Sequence, residues 1–329
     1  MKALRTERTR AGTVVNLGRS GFRHELVLHS STEEMLEFVV PFAEEGVAAG
    51  EPTMLLVRRE VAAAVLSRMK RPSHDLVILP ALGQPGRGAS DLRATEALLD
   101  GHVGRSRVRI LNQEPTVPET HWHEWRRLEA GVNLAMSRYD AWAVCVYDRR
   151  MLDDEMVDDL LATHPIVGLA GEHRDNGRYR DPVDFVSTHM DAPPDEIEAT
   201  PPAAELLDPS PPTARAAVAA FAIHSKLPPQ EVENVVLATH EAVSNARRHG
   251  RPPVVLRLWV QPGRFTVTVT DCGAGPTNPF VGLLPPDHPN GAGLGLWISH
   301  QLVDVTHRRH RDGYTVRMTA TDTCAAALH

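Results

Sequence analysis

Three short segments in the last third of the chain constrain its fold more than any other feature. They are Glu241-Ala-Val-Ser-Asn245, Asp271-Cys-Gly273-Ala-Gly275 and Gly291-Ala-Gly293-Leu-Gly295. In the first, a carboxylate and an amide sit at i and i+4, so they share one helical face. The second follows Thr266-Val-Thr-Val-Thr270, whose β-branched alternation reads as a strand. The third leads into Leu294-Gly-Leu-Trp-Ile298, the start of an apolar helix. A fold that uses all three must bring together a helix face, a strand end and a helix start.

Each segment has a chemical reading and a plain one. The amide oxygen of Asn245 can help coordinate Mg²⁺, a hard cation that takes oxygen ligands. Glu241, one turn earlier, can act as general base on a hydroxyl or a water. The same pair also suits an ordinary polar helix face. Asp271 can accept a hydrogen bond from an adenine amino group, while Gly273 and Gly275 let a flat base approach the backbone. An Asp-x-Gly turn is the alternative. The N–H groups of a helix opening after Gly291, Gly293 and Gly295 suit phosphate, and a flexible loop is the alternative. In this order the three read as a nucleotide pocket.

The 329 residues are enough for two domains. Residues 1–20 read as a loose arm. From residue 21 to 190, apolar strands alternate with amphipathic helices. The strands are Glu25–His29, Thr53–Val57, Asp75–Leu79, Val108–Leu111 and Ala141–Tyr147. Ser31 is placed to cap the first helix, with Met35, Val39, Phe42 and Ala43 at helical spacing. Further helices are expected over 60–69, 91–103, 120–137 and 153–163. Strands apolar throughout imply an α/β domain with a mostly parallel sheet covered on both faces. Residues 191–212 carry seven prolines (Pro193, Pro194, Pro201, Pro202, Pro209, Pro211, Pro212) among acids, and read as an extended linker. Residues 213–322 change pattern. Two helices (213–226 and 228–249, stopped by Gly250) precede an antiparallel pair joined at Gln261-Pro-Gly263, a loop, a helix over 294–303 and a strand over 314–320. This is an α+β sandwich, with 323–329 as a tail.

A net charge of −7 argues against a general nucleic-acid surface. Cys145, Cys272 and Cys324 lie far apart with no CxxC pair, which fits a reducing cytoplasm and disfavours a disulfide framework or a zinc site. The start, MKALRTERTRAG, lacks an apolar stretch, and no apolar run reaches the ~20 residues needed to span a bilayer. The expectation is a cytoplasmic protein with no membrane partner.

Glu-x-x-x-Asn, Asp-x-Gly-x-Gly and Gly-x-Gly-x-Gly resemble the N, G1 and G2 boxes of the GHKL ATPases, whose ATP-binding domain is the Bergerat fold. The resemblance covers about residues 213–322 and makes 276–290 the ATP lid. Within that superfamily, Glu241-Ala-Val-Ser-Asn-Ala-Arg-Arg-His-Gly250 is most similar to the anti-sigma-factor serine kinases of bacterial partner-switching systems. The resemblance implies ATP and Mg²⁺ as cofactors, Asn245 as the Mg²⁺ ligand, Glu241 as the base and Asp271 as the adenine anchor. It implies phosphorylation of a serine or threonine on a STAS anti-anti-sigma protein, binding of a sigma factor, or both. A non-catalytic ATP-dependent sigma-factor-binding module is the alternative. A cytosolic sensor histidine kinase ranks below both, because no long helical pair precedes the pocket. Of the two His-Glu pairs, His24-Glu25 opens a strand and His240-Glu241 lies inside the pocket helix.

Four front-half fragments are similar to the MEDS sensory domain: His24-Glu-Leu-Val-Leu-His29, Pro41-Phe-Ala-Glu-Glu-Gly46-Val-Ala-Ala-Gly50-Glu51, Cys145-Val-Tyr147-Asp148 and Thr163-His164-Pro165. This implies a RecA-like or Rossmann-like sheet. No GxxxxGK[ST] occurs, so a P-loop is not expected there. His24, His29, Cys145, Tyr147 and His164 can line a pocket for a small molecule or metal, or simply fill an α/β core. His121 and His123 flank Trp122 at a spacing poor for a helical metal site, which prefers i and i+4. A flexible linker transmits no rigid motion, so a sensed signal requires a domain interface or a rearranged homodimer.

Overall fold

The computed structural model describes residues 21–70, 76–81, 88–104, 106–169, 171–189, 192–286 and 293–322. The expected arm and tail, Asp75, Asp191, Gly291 and residues 287–290 of the expected lid lie outside the described residues. Contacts group the chain into two compact units. One takes residues 1–82, 99–116 and 136–181, the other 83–98, 117–135 and 182–329. No described helix is long and apolar enough to cross a membrane.

In chain order the first elements are β1 (Arg23–His29), α1 (Thr32–Ala48), β2 (Thr53–Leu56), α2 (Arg59–Arg68), β3 (Leu76–Leu79), α3 (Gly88–Asp100), β4 (Val108–Gln113), α4 (Glu119–Ala135), β5 (Ala141–Asp148), α5 (Asp154–Thr163), β6 (Ile166–Leu169), β7 (Glu172–Asp175) and α6 (Pro182–Ser187). α4, α6 and most of α3 group with the second unit. Sheet order in the first unit is β3-β2-β4-β5-β1-β6-β7. Every pairing is parallel except β6 with β7. The expected mostly parallel α/β sheet is therefore present. The β6–β7 hairpin was not legible, because Glu172-His-Arg-Asp175 has no apolar alternation. A charged edge strand of this kind discourages further pairing. Ser31 caps α1 as its spacing predicts, its Oγ accepting from Glu34 N at 3.1 Å. α1 and α2 then cover Val27, Leu55, Leu111, Val144 and Val146 with Met35, Val39, Phe42, Val61 and Val65.

The second unit adds β8 (Ala204–Leu207), α7 (Pro211–Ala222), α8 (Pro229–His249), β9 (Val255–Gln261), β10 (Arg264–Asp271), α9 (Leu294–Leu302), β11 (Asp304–His310) and β12 (Gly313–Thr321). Its sheet runs β11-β12-β10-β9-β8, antiparallel throughout. Alternation puts Phe265, Val267 and Val269 on one face with Leu256, Leu258, Val316 and Met318. Val218, Val235, Ala238, Ala242 and Val243 of α7 and α8 close that core. The expected α+β layering is thus observed.

The proline-rich segment departs from the linker reading. Ala204–Leu207 pairs with β9, Ala204 opposite Leu258. Glu196–Ala199 forms a turn closed by a capping box, with Asp195 accepting from Ile197 N and Glu198 accepting from Asp195 N, each at 3.0 Å. Arg264 binds Asp195 at 2.5 Å, and Arg308 and Arg317 bind Glu198 at 2.7 and 3.0 Å. The prolines bracket the short edge strand instead of interrupting it. The acids, which looked like solvated linker charge, neutralise arginines on the outer face of the sheet.

Behind α9 a buried polar chain crosses the sheet edge. His300 Nε2 lies 2.9 Å from His307 Nε2, and His307 Nδ1 lies 2.5 Å from the Tyr314 hydroxyl. Burial holds both histidines well below the usual imidazole value, so the folded state keeps them neutral. Burial and the nearby Arg317 hold His123 down to about 4. The unfolded chain takes up these protons below about pH 6.5. Stability is then lost as pH falls through that value, by up to ~1.4 kcal/mol per pH unit for each histidine. Urea midpoints should drop between about pH 7.5 and about pH 5.5, and His300→Gln/His307→Gln should flatten the drop. An equal drop in that variant would remove these histidines as its cause. In the apolar core, Leu258→Ala should cost about 2–5 kcal/mol by urea denaturation. Leu207→Ala, at a position 69% exposed, should stay within about 0.5 kcal/mol.

Candidate functional site

α8 carries the first segment. Its buried stripe, Val235, Ala238, Thr239, Ala242, Val243 and Ala246, faces the core. Glu241 and Asn245 flank that stripe and are partly exposed. Gly250 ends the helix, its N–H donating to Ala246 O at 3.0 Å.

β10 delivers the second. Asp271 is its last residue and is 6% exposed. Its Oδ1 accepts from Gly273 N at 2.6 Å and from Arg251 N at 3.1 Å. One carboxylate oxygen thereby ties the end of β10 to the end of α8. Glycine is required on both sides of it. A Cβ on Gly250 would lie 2.3 Å from that oxygen, and a Cβ on Gly273 2.6 Å. Gly275 has a φ of +70°, and a Cβ there would strike the Tyr314 ring at 2.4 Å. The expected role of Gly273 and Gly275 is to let a base approach. Within the chain itself they serve first to let the turn close over Asp271 and Tyr314.

The third segment meets the first. Gly293, at φ +102°, is the N-cap of α9, and Gly295 stands in its opening turn. A Cβ on Gly295 would lie 2.1 Å from Glu241 Oε2 and 3.0 Å from its Cδ. The start of α9 thus rests directly on the carboxylate of α8. Gly291 lies outside the described residues. A carboxylate of α8 meets the amino end of α9 here, with Asn245 one turn further along α8, and oxygen donors with helical N–H groups suit Mg²⁺ with phosphate.

The expected lid is partly built. Asn278 Oδ1 accepts from Phe280 N at 2.8 Å, and Leu283 N and Leu284 N donate to Phe280 O at 3.1 Å. Within the second unit, Arg127 donates to Pro279 O at 2.8 Å and Val281 O at 2.6 Å, and Arg309 donates to Pro276 O. Gly282, at φ +84°, abuts His300. Nothing in the local composition of 276–286 announces these arginines, which come from distant segments.

In the first unit, His24, Cys145 and His164 come together. His29 and Tyr147 do not join them equally. Tyr147 is buried further along β5, opposite Leu28. His29, five residues after His24, points to the other face of the sheet, opposite Asp148, and burial lowers its pKa. Sequence reasoning missed Glu25, a fully buried carboxylate that accepts from Trp142 Nε1 at 2.8 Å and pairs with His173 Nδ1 at 2.7 Å. A lone Glu inside an apolar strand was the available signal, since such a charge needs buried partners.

Family models match both halves. Residues 23–165 match MEDS, the methanogen/methylotroph, DcmR sensory domain. Residues 206–320 match the histidine kinase-like ATPase domain. No curated protein matches the chain. The second match makes this an ATP-binding, kinase-like regulatory protein, and domains of this type usually bind ATP with Mg²⁺. The chain carries a MEDS sensory domain followed by a histidine-kinase-like ATPase domain of the GHKL type, as its three boxes and front-half fragments implied.

Proposed function

We propose that this protein is a cytoplasmic ATP-dependent serine/threonine kinase that acts on a STAS anti-anti-sigma partner as part of anti-sigma regulation, under control of its MEDS domain. The observation that supports this reading is the seat of Glu241 beneath Gly295, which leaves a carboxylate at the amino end of α9. A serine or threonine hydroxyl needs a base to attack phosphorus, and a carboxylate so positioned supplies one. The hydroxyl oxygen bonds to the γ-phosphorus, the bond from phosphorus to the bridging oxygen breaks, ADP leaves, and Glu241 takes the hydroxyl proton. Asn245 would hold Mg²⁺ through its amide oxygen, and the ion would supply charge neutralisation at the phosphates. The first turn of α9 orients the phosphates. Asp271, held in place through Oδ1, offers its carboxylate to the adenine amino group.

Incubating the full chain with Mg-ATP and a panel of purified STAS proteins should transfer an acid-stable phosphate to a serine or threonine. Glu241→Gln should lower that rate by about 10²-fold or more and spare nucleotide binding. Asn245→Ala should weaken Mg-ATP by about 10- to 100-fold in calorimetry. Gly295→Ala pushes on the Glu241 carboxylate, so it should cost roughly 10²-fold in rate with little change in ATP affinity. Bound ATP with no transfer to any partner, together with ATP-strengthened capture of a sigma factor, would replace this reading with the non-catalytic one. Acid-labile autophosphorylation would replace it with a histidine kinase.

A further inference from the structure

Three buried side chains of the first unit take no part in the kinase reading and meet in the middle of its sheet. β5, β1 and β6 are neighbours there. Leu26 stands opposite Cys145, so His24, two residues earlier on β1, shares the face of Cys145. His164 follows the last turn of α5, just ahead of β6. His24 Nε2 lies 3.4 Å from Cys145 Sγ. The rings of His24 and His164 have centroids 4.0 Å apart. One nitrogen or sulfur from each of the three lies within 4.8 Å of the others. Their exposures are 1%, 7% and 0%.

The spacing and chemistry suit a metal. With metal–nitrogen bonds of about 2.0–2.1 Å and a metal–sulfur bond of about 2.3 Å, tetrahedral ligands stand roughly 3.6 Å apart. His24 and Cys145 are already close to that edge, and His164 has at most about 1.2 Å to close. The tautomer of His164 is also set. Its Nδ1 lies 2.8 Å from Leu160 O. A carbonyl only accepts, so Nδ1 carries the hydrogen and the lone pair is on Nε2. Metal-binding histidines are commonly oriented by such a bond from the other ring nitrogen. Two imidazoles and a thiol favour Zn²⁺ over Mg²⁺ or Ca²⁺, which take oxygen.

We propose that His24, Cys145 and His164 form a buried Zn²⁺ site in the MEDS domain. Cys145 binds as the thiolate, releasing its proton to solvent as the metal enters. His29, on the opposite face of β1, is not a ligand.

The full chain, stripped with a chelator and titrated with Zn²⁺ against a chromophoric competitor, should bind one tight equivalent through this site. Co²⁺ in its place should give a thiolate-to-metal charge-transfer band and the visible bands of a tetrahedral ion. Cys145→Ala should abolish the charge-transfer band and weaken Zn²⁺ by at least about tenfold. His29→Ala and the double variant Cys272→Ser/Cys324→Ser should keep both. Loss of all Zn²⁺ from the wild-type chain on desalting would overturn the proposal. A charge-transfer band that survives in Cys145→Ala would do the same. Should Cys145→Ala fail to fold, the wild-type spectrum decides alone, since a Co²⁺ complex with no thiolate band also overturns it.

Discussion

A single carboxylate oxygen holds the candidate nucleotide site together. Asp271 Oδ1 accepts from the backbone of Gly273 and of Arg251, and so joins the end of β10 to the residue after Gly250, the C-cap of α8. A buried carboxylate is tolerable only when donors satisfy it, and here both donors are main-chain groups that cannot turn away. Three glycines follow from that requirement. Side chains on Gly250 or Gly273 would collide with the Asp271 carboxylate, and one on Gly313 with the Asp271 carbonyl. The helix that bears Glu241 and Asn245 is thereby anchored at its C-terminal end to the strand that bears the proposed adenine acceptor.

The second anchor is steric. Gly295 lets the first turn of α9 rest on Glu241, so the proposed base and the helical N–H groups are placed by one missing methyl group. From the last turn of α9, His300 joins His307 in a buried chain that stays neutral and ends at Tyr314. The opening turn of α9 therefore rests on a carboxylate, while its last turn carries His300 into an uncharged buried chain. In the first unit the same economy is seen at Glu25, whose two oxygens go to Trp142 and His173.

Legibility followed physical cause. Strands β2 and β5 were readable because both of their faces are buried and their residues are apolar. α1 was readable from its Ser31 cap and its apolar spacing. β11 was not, because Asp-Val-Thr-His-Arg-Arg-His looks like a polar loop. It is a strand because Arg308 meets Glu198, His307 meets His300, and β12 pairs along its whole length. Proline density concealed β8 for a related reason: its pairing with β9 is non-local, and no window of sequence contains its partner. The helix, strand and turn that carry the site's three boxes were legible, and so was their order. The steric work of each glycine was not, because the atom that forbids a side chain at Gly250, Gly275 or Gly295 lies on another segment.

Sequence by itself determined the change from parallel α/β to antiparallel α+β and the residue types available for nucleotide chemistry, but not that residues 83–98 and 117–135 group with the second unit. These follow from periodicity and local backbone preference, which are properties of short windows. Tertiary structure alone decided that the acidic, proline-rich stretch joins the second sheet. It also decided that Arg127 grips residues 279–281, and that His24, Cys145 and His164 converge while His29 turns away. The reason is register and crossover: which residues meet depends on how strands far apart in the chain align, and a shift of one residue sends a side chain to the opposite face.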